Sequence, residues 1–287
     1  MTMVGRMRLL LGLVVVVAAA VVVGSAAADP FNVPVCPGES AVSPGQSLSG
    51  TVNGNLTITG NAYVAKGNNL TVKGNLTLAP GSCLDAFSLG TVNVGGNVLV
   101  QQRAILALGC SVGAIGPGEP CESMTTNDTV GGNIVATNAT TMYLTALWVG
   151  GNIVSNGGGP GLSDPYTSFP IKESTIRGNL VVNGWVGAWF GALRNTVYGN
   201  VIITNNVGNR VGDFGPDSNE VVQNTVHGNL ICTGNVNPVT FGDSGGAPNS
   251  VYGNAIGQCG FNVVLPNPNY PNQDGKGLPT PISVKAK

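Results

Sequence analysis

The sequence predicts an all-β protein, a single-stranded parallel β-solenoid built as a right-handed β-helix of about nine coils. Three observations carry this. An aliphatic-x-Gly-Asn-aliphatic motif recurs through the chain, as in Val52-Asn53-Gly54-Asn55-Leu56 and Val226-His227-Gly228-Asn229-Leu230. The residues flanking it are short, β-branched and alternating, as in Leu56-Thr57-Ile58 and Leu70-Thr71-Val72, which is strand chemistry. No stretch after the N-terminal segment sustains a helical period.

The motif occurs nine times, with its asparagine at Asn55, Asn75, Asn97, Asn133, Asn152, Asn179, Asn200, Asn229 and Asn254. The spacings are 20, 22, 36, 19, 27, 21, 29 and 25 residues. A floor near 20 residues with lengthened copies marks a solenoid that tolerates insertions. One such unit cannot bury its own apolar face, and stacked units can. A coil of 20 residues or more suits a right-handed β-helix better than a left-handed one.

Gly-Asn has two readings. If the strand runs straight through it, alternation turns Gly54 inward with Val52 and Leu56 and turns Asn55 outward. If it is a corner, both residues suit positive φ, and the asparagines of successive coils can stack as a hydrogen-bonded ladder. Nine identical asparagines favour the corner and the ladder, and in either reading they are structural rather than catalytic.

The ends differ from the repeats. Arg6 and Arg8 precede the unbroken apolar run Leu9–Val23, and Ala26-Ala27-Ala28 fits a small-x-small cleavage site, so residues 1–28 are expected to be a signal peptide. The rival is an uncleaved anchor, the one way this chain would hold a membrane. Residues 29–48 form a lead-in, 49–265 the solenoid domain, and 266–287 a flexible tail carrying Pro266, Pro268, Pro271, Pro279 and Pro281. Six cysteines all follow residue 28, an even number suited to an oxidising space. Proximity suggests Cys110–Cys121 and Cys232–Cys259, which leaves Cys36–Cys83. The cysteine-bearing insert around Gly109–Asn127 reads as a stapled loop, and Ser155–Ser174 as a surface flap.

Composition excludes some functions. Residues 29–287 carry 10 Lys+Arg against 13 Asp+Glu, three net negative charges, which argues against nucleic acid as a partner. With His227 the only histidine and no Cys-x-x-Cys, no metal or other cofactor is expected. Gly242-Asp243-Ser244-Gly245-Gly246 matches the setting of a protease nucleophile, but His227 stands inside a repeat and the double-barrel pattern is missing, so a flexible turn is expected instead. Asp213, Asp217 and Glu220, with Arg210 nearby, form the best carboxylate cluster, the place where a polysaccharide-cleaving β-helix would carry its chemistry or a calcium ion. Solvated loop acids are the plainer reading.

The variable residue of the motif forms a column: Asn53, Lys73, Gly95, Gly131, Gly150, Arg177, Tyr198, His227 and Tyr252. Tyr198, His227 and Tyr252 would share one exposed strip able to contact sugar or peptide, although cross-strand stacking explains them as well. Trp185, Trp189 and Phe190 are expected to fill the coil interior.

These repeats resemble a group of uncharacterised secreted bacterial β-helix proteins with Thr-Val-x-Gly-Asn-aliphatic repeats. The match is closest over Asn224-Thr225-Val226-His227-Gly228-Asn229-Leu230-Ile231-Cys232, then Asn249–Asn254, then Cys259, and it spans Ser49–Cys259. The chain departs from the pattern in its inserts. The resemblance implies a β-helix and no activity. The cytoplasmic bactofilins share short aliphatic solenoid repeats without a signal peptide, an analogy of fold only. The expected function is that of a secreted, extracellular structural or surface-interaction protein without catalysis, with a glycan or cell-surface component as partner. A carbohydrate-active enzyme or a carbohydrate-binding module is the alternative.

Overall fold

The computed structural model describes residue 36 and residues 45–87, 90–110, 127–164, 167–208, 218–240, 248–260 and 283–284. Residues 1–28, expected to be a signal peptide, the Gly242–Gly246 motif and Arg210, Asp213 and Asp217 lie outside them.

The chain is a parallel β-solenoid. Its strands stack into sheets of ten, nine and eight parallel strands, and the central coils contribute one strand to each sheet in turn. The coil at Asn179 shows the order. Thr175–Ile176 joins the ten-stranded sheet, Leu180–Asn183 the nine-stranded sheet and Trp189–Leu193 the eight-stranded sheet. Below, these are the Thr-Val sheet, the aliphatic sheet and the covered sheet. Register holds along the rod: Ile176 pairs with Val197, Val197 with Val226 and Val226 with Val251. At about 4.8 Å per coil, the nine Gly-Asn coils span about 38 Å from first to last.

Alternation places one residue set inside. Val149, Ile176, Val197 and Val226 from the Thr-Val sheet meet Ile153, Leu180, Val201 and Leu230 from the aliphatic sheet in one continuous core. The covered sheet adds Leu106, Met142, Phe169 and Phe190. Trp185 and Phe190 are buried there, with Phe169 edge-on to both at ring-centroid distances of 5.8 and 5.6 Å. Trp189 is buried on the opposite side of its strand, in a satellite cluster with Leu193 and Val222.

Gly-Asn is a corner. Bends at Asn53-Gly54 and its eight counterparts carry the chain from the Thr-Val sheet to the aliphatic sheet. The straight-strand reading is therefore set aside, and so is positive φ, because none of the nine glycines or asparagines has it. The glycines answer to crowding. A Cβ on Gly96, Gly132, Gly178 or Gly199 would lie 2.5 Å from the preceding coil's Asn Oδ1. Positive φ falls at the other two corners. Asn138, Gly157, Gly184, Asn205 and Gly234 leave the aliphatic sheet, while Gly109, Ala146, Glu173, Arg194 and Gln223 leave the covered sheet.

The residues on the outer face of the covered sheet are buried as well. The Cys36–Cys83 disulfide ties the lead-in to it, and Ile105 packs with that pair. Cys232–Cys259 closes the last coil. Cys110 is disulfide-bonded too, and Cys121 lies outside the described residues. In the C-terminal stretch Ser283–Val284 pairs with Ser250–Val251 and adds the tenth strand of the Thr-Val sheet, and the rest of residues 266–287 lies outside the described residues. A Ser-Val pair repeats the edge it meets. No helix among the described residues is long and apolar enough to cross a membrane.

Candidate functional site

The corner asparagines are joined end to end. Each Oδ1 accepts the backbone N–H of the next coil's asparagine, from Asn75 to Asn55 at 2.8 Å through to Asn254 to Asn229 at 2.9 Å. The intervening links at Asn97, Asn133, Asn152, Asn179, Asn200 and Asn229 measure 2.7–2.9 Å. In the middle coils the side-chain amide adds a second donor to the same oxygen, for example Asn152 Nδ2 to Asn133 Oδ1 at 2.9 Å. Spending these groups on one another leaves the asparagines a fixed scaffold for what projects beside them.

Two further ladders lie at the other corners. Asn195, Asn224 and Asn249 are buried, and each backbone N–H of Asn195 and Asn224 donates to the next Oδ1 at 3.0 Å. Asn206 donates likewise to Asn235 at 3.0 Å, and Asn235 to Gln258 Oε1 at 3.2 Å. Sequence reasoning missed both. Their signals are Asn-Thr-Val or Asn-Ser-Val opening a coil, and an asparagine six residues after the corner asparagine, at Asn206 and Asn235.

Immediately before the Gly-Asn corner sits the variable column. Tyr198 and His227 stack with centroids 4.6 Å apart and planes 2° from parallel, and His227 and Tyr252 stack at 4.8 Å and 1°. These distances are the strand spacing itself, because equivalent residues of adjacent parallel coils point the same way. The Arg177 guanidinium caps the row, its Cζ 4.2 Å from the Tyr198 ring centre. Arg177, Tyr198 and His227 are exposed and Tyr252 is partly so. The faces of the Tyr198 and His227 rings are covered by their neighbours, which leaves their edges to solvent: a phenol hydroxyl and imidazole nitrogens.

The strip has a member that the sequence reading passed over. Trp148 replaces the usual threonine of the Thr-Val sheet, between Thr129 and Thr175, and is 45% exposed. Glycines at the variable positions 131 and 150 leave room beside it, since a Cβ on Gly150 would come 3.0 Å from the indole Cη2. Aligning the repeats would have flagged it as an aromatic where other coils carry Thr, Ser or Asn.

Of the expected carboxylate cluster only Glu220 is among the described residues, and Arg210, Asp213 and Asp217 lie outside them. Glu220 is 2% exposed in the covered-sheet strand Asn219–Val222. Among the described residues no three His, Cys, Asp or Glu side chains group as metal ligands. What fold and site together define is a parallel β-solenoid with one basic and aromatic corner strip. The chain matches no protein-family model, no curated protein and no solved structure.

Proposed function

We propose that the protein is an exported, disulfide-stapled rod without catalytic activity. It acts as a structural or surface-interaction module whose contact surface is the corner strip. The carrying observation is the alignment of Trp148, Arg177, Tyr198, His227 and Tyr252 along one edge. An exposed indole offers a face to a sugar ring. The phenol and imidazole edges and the guanidinium offer donors and acceptors at one set per coil. A chain-like glycan, or a cell-surface component bearing one, suits a site that is linear and repeats along the rod. Export is supported by the N-terminal apolar run with its small-residue site and by the disulfides, which persist in oxidising spaces.

The test is a panel of immobilised cell-wall and plant polysaccharides, scored for both retention and release of fragments. The expected result is retention of the wild type without cleavage, lost in a Trp148→Ala/Tyr198→Ala variant that keeps its circular dichroism. Fragment release would overturn the reading in favour of a carbohydrate-active enzyme. A blank panel would remove glycan as the partner.

A further inference from the structure

The outer face of the aliphatic sheet is unusual for a surface. Where Thr57 and Thr77 occupy its central column in the first two coils, the next seven carry Leu99, Val135, Val154, Val181, Ile202, Ile231 and Ile256. Register pairing makes these one unbroken row of branched aliphatic side chains. The two ends are open to solvent, Leu99 at 38% and Ile256 at 44%, and the five between are half-buried. The next column is uncharged as well: Thr137, Asn156, Asn183, Thr204 and Thr233. No strand of this sheet from Val98–Val100 to Ala255–Gly257 contains a charged residue. A contiguous apolar patch of this length marks an interaction surface.

We infer that this face binds a second copy of the same chain, two rods packing antiparallel about a two-fold axis through Val181. Three features select that occupant. The row repeats at the strand spacing, so a partner that fills every rung needs the same pitch, and this chain has it. Sheets packed face to face interdigitate such rows with their strands nearly aligned. The volumes also fit one orientation. A two-fold axis at Val181, the fourth of seven, sets Val154 against Ile202, Val135 against Ile231 and Leu99 against Ile256 of the second copy. Off the axis, where Val181 meets its own counterpart, each smaller valine then meets a larger isoleucine, whereas parallel rods would oppose valine with valine and isoleucine with isoleucine and leave one end gapped. Finally, the size suffices. A face of seven coils, about 29 Å long and about 20 Å wide from corner to corner, offers about 580 Å² per copy, about 1,160 Å² in all, above the about 1,000 Å² that a specific interface needs and at the weak end of the range. The absence of charge on the face gives an oppositely charged partner nothing to recognise. The contact is isologous and closes at two copies. It leaves the corner strip exposed on both rods and does not depend on what that strip binds.

The experiment is sedimentation velocity on the full chain recovered from an oxidising compartment, from low micromolar to about 100 µM. The expected result is a dimer in the wild type and a monomer for Val181→Lys, which brings two like charges together on the axis. Val181→Thr keeps the β-branched shape and should fold even if the lysine variant does not. It should weaken the dimer about tenfold, as a buried hydroxyl without a partner does. A wild type that stays monomeric across the range overturns the inference. So does a dimer that survives Val181→Lys with its native circular dichroism, or a folded Val181→Thr with undiminished association.

Discussion

Asn152 Oδ1 accepts two hydrogen bonds from Asn179, one from its backbone N–H at 2.7 Å and one from its side-chain amide at 3.0 Å. One oxygen thus satisfies the polar groups of the next coil's corner, and Asn133 does the same for Asn152. Replacing Asn152 with alanine strands the Asn179 amide at a partly buried bend. The expected loss is about 1–3 kcal/mol in urea unfolding. Asn156→Ala, an exposed change in the same coil, should stay within about 0.5 kcal/mol.

The glycine of the corner should be intolerant in proportion to the coil below it. A Cβ on Gly132 would meet Asn97 Oδ1 at 2.5 Å and the Gly96 carbonyl oxygen at 2.9 Å, while one on Gly54 meets nothing within 4 Å. Gly132→Ala should therefore cost about 2 kcal/mol or more. Gly54→Ala should be neutral to within about 0.5 kcal/mol, since its φ is not positive. Thermal unfolding of the pair separates crowding from backbone freedom.

That distinction marks where the sequence was legible. The number of coils, the strands beside each motif and the corner could be read because the same residues recur at the same place. The reason for the glycine could not. Gly and Asn each favour positive φ in isolation, whereas here the deciding contact is with a residue about 20 or more positions earlier in the chain. The left-handed positions went to residues as unlike as Ala146, Glu173, Arg194 and Gln223, which share no chemistry to read. The stack of Tyr198, His227 and Tyr252 followed from register alone. Trp148 escaped notice because it enters the strip from the neighbouring column, and the aliphatic row because each valine or isoleucine looks like core until its alternation is fixed.

Ala146 holds φ at 55° with no side chain beyond Cβ to repay the strain. Glycine removes that strain, about 1–2 kcal/mol, but adds freedom to the unfolded chain. Ala146→Gly should stabilise by about 0.5–1 kcal/mol at the denaturation midpoint.

The Cys232–Cys259 disulfide spans 27 residues and holds the final turn onto the last coils. Its removal in a Cys232→Ala/Cys259→Ala variant should cost about 3 kcal/mol. The loss should be seen first as fraying of Ala255–Gly257, because a solenoid's terminal repeat has a neighbour on one side only.

Every column on this molecule, the ring strip and the aliphatic row included, depends on coils locked in register by the corner asparagines. The direct measurement is hydrogen exchange at the backbone amides of Asn75, Asn97, Asn133, Asn152, Asn179, Asn200, Asn229 and Asn254. These amides sit at bends near the surface, outside any strand ladder, so only the preceding asparagine's Oδ1 can protect them. Exchange as slow as that of the adjoining strand residues in the central coils is the expected result. Exchange at the rate of an open turn in Asn133, Asn152 and Asn179 would contradict the ladder, and with it the register on which the rest is built.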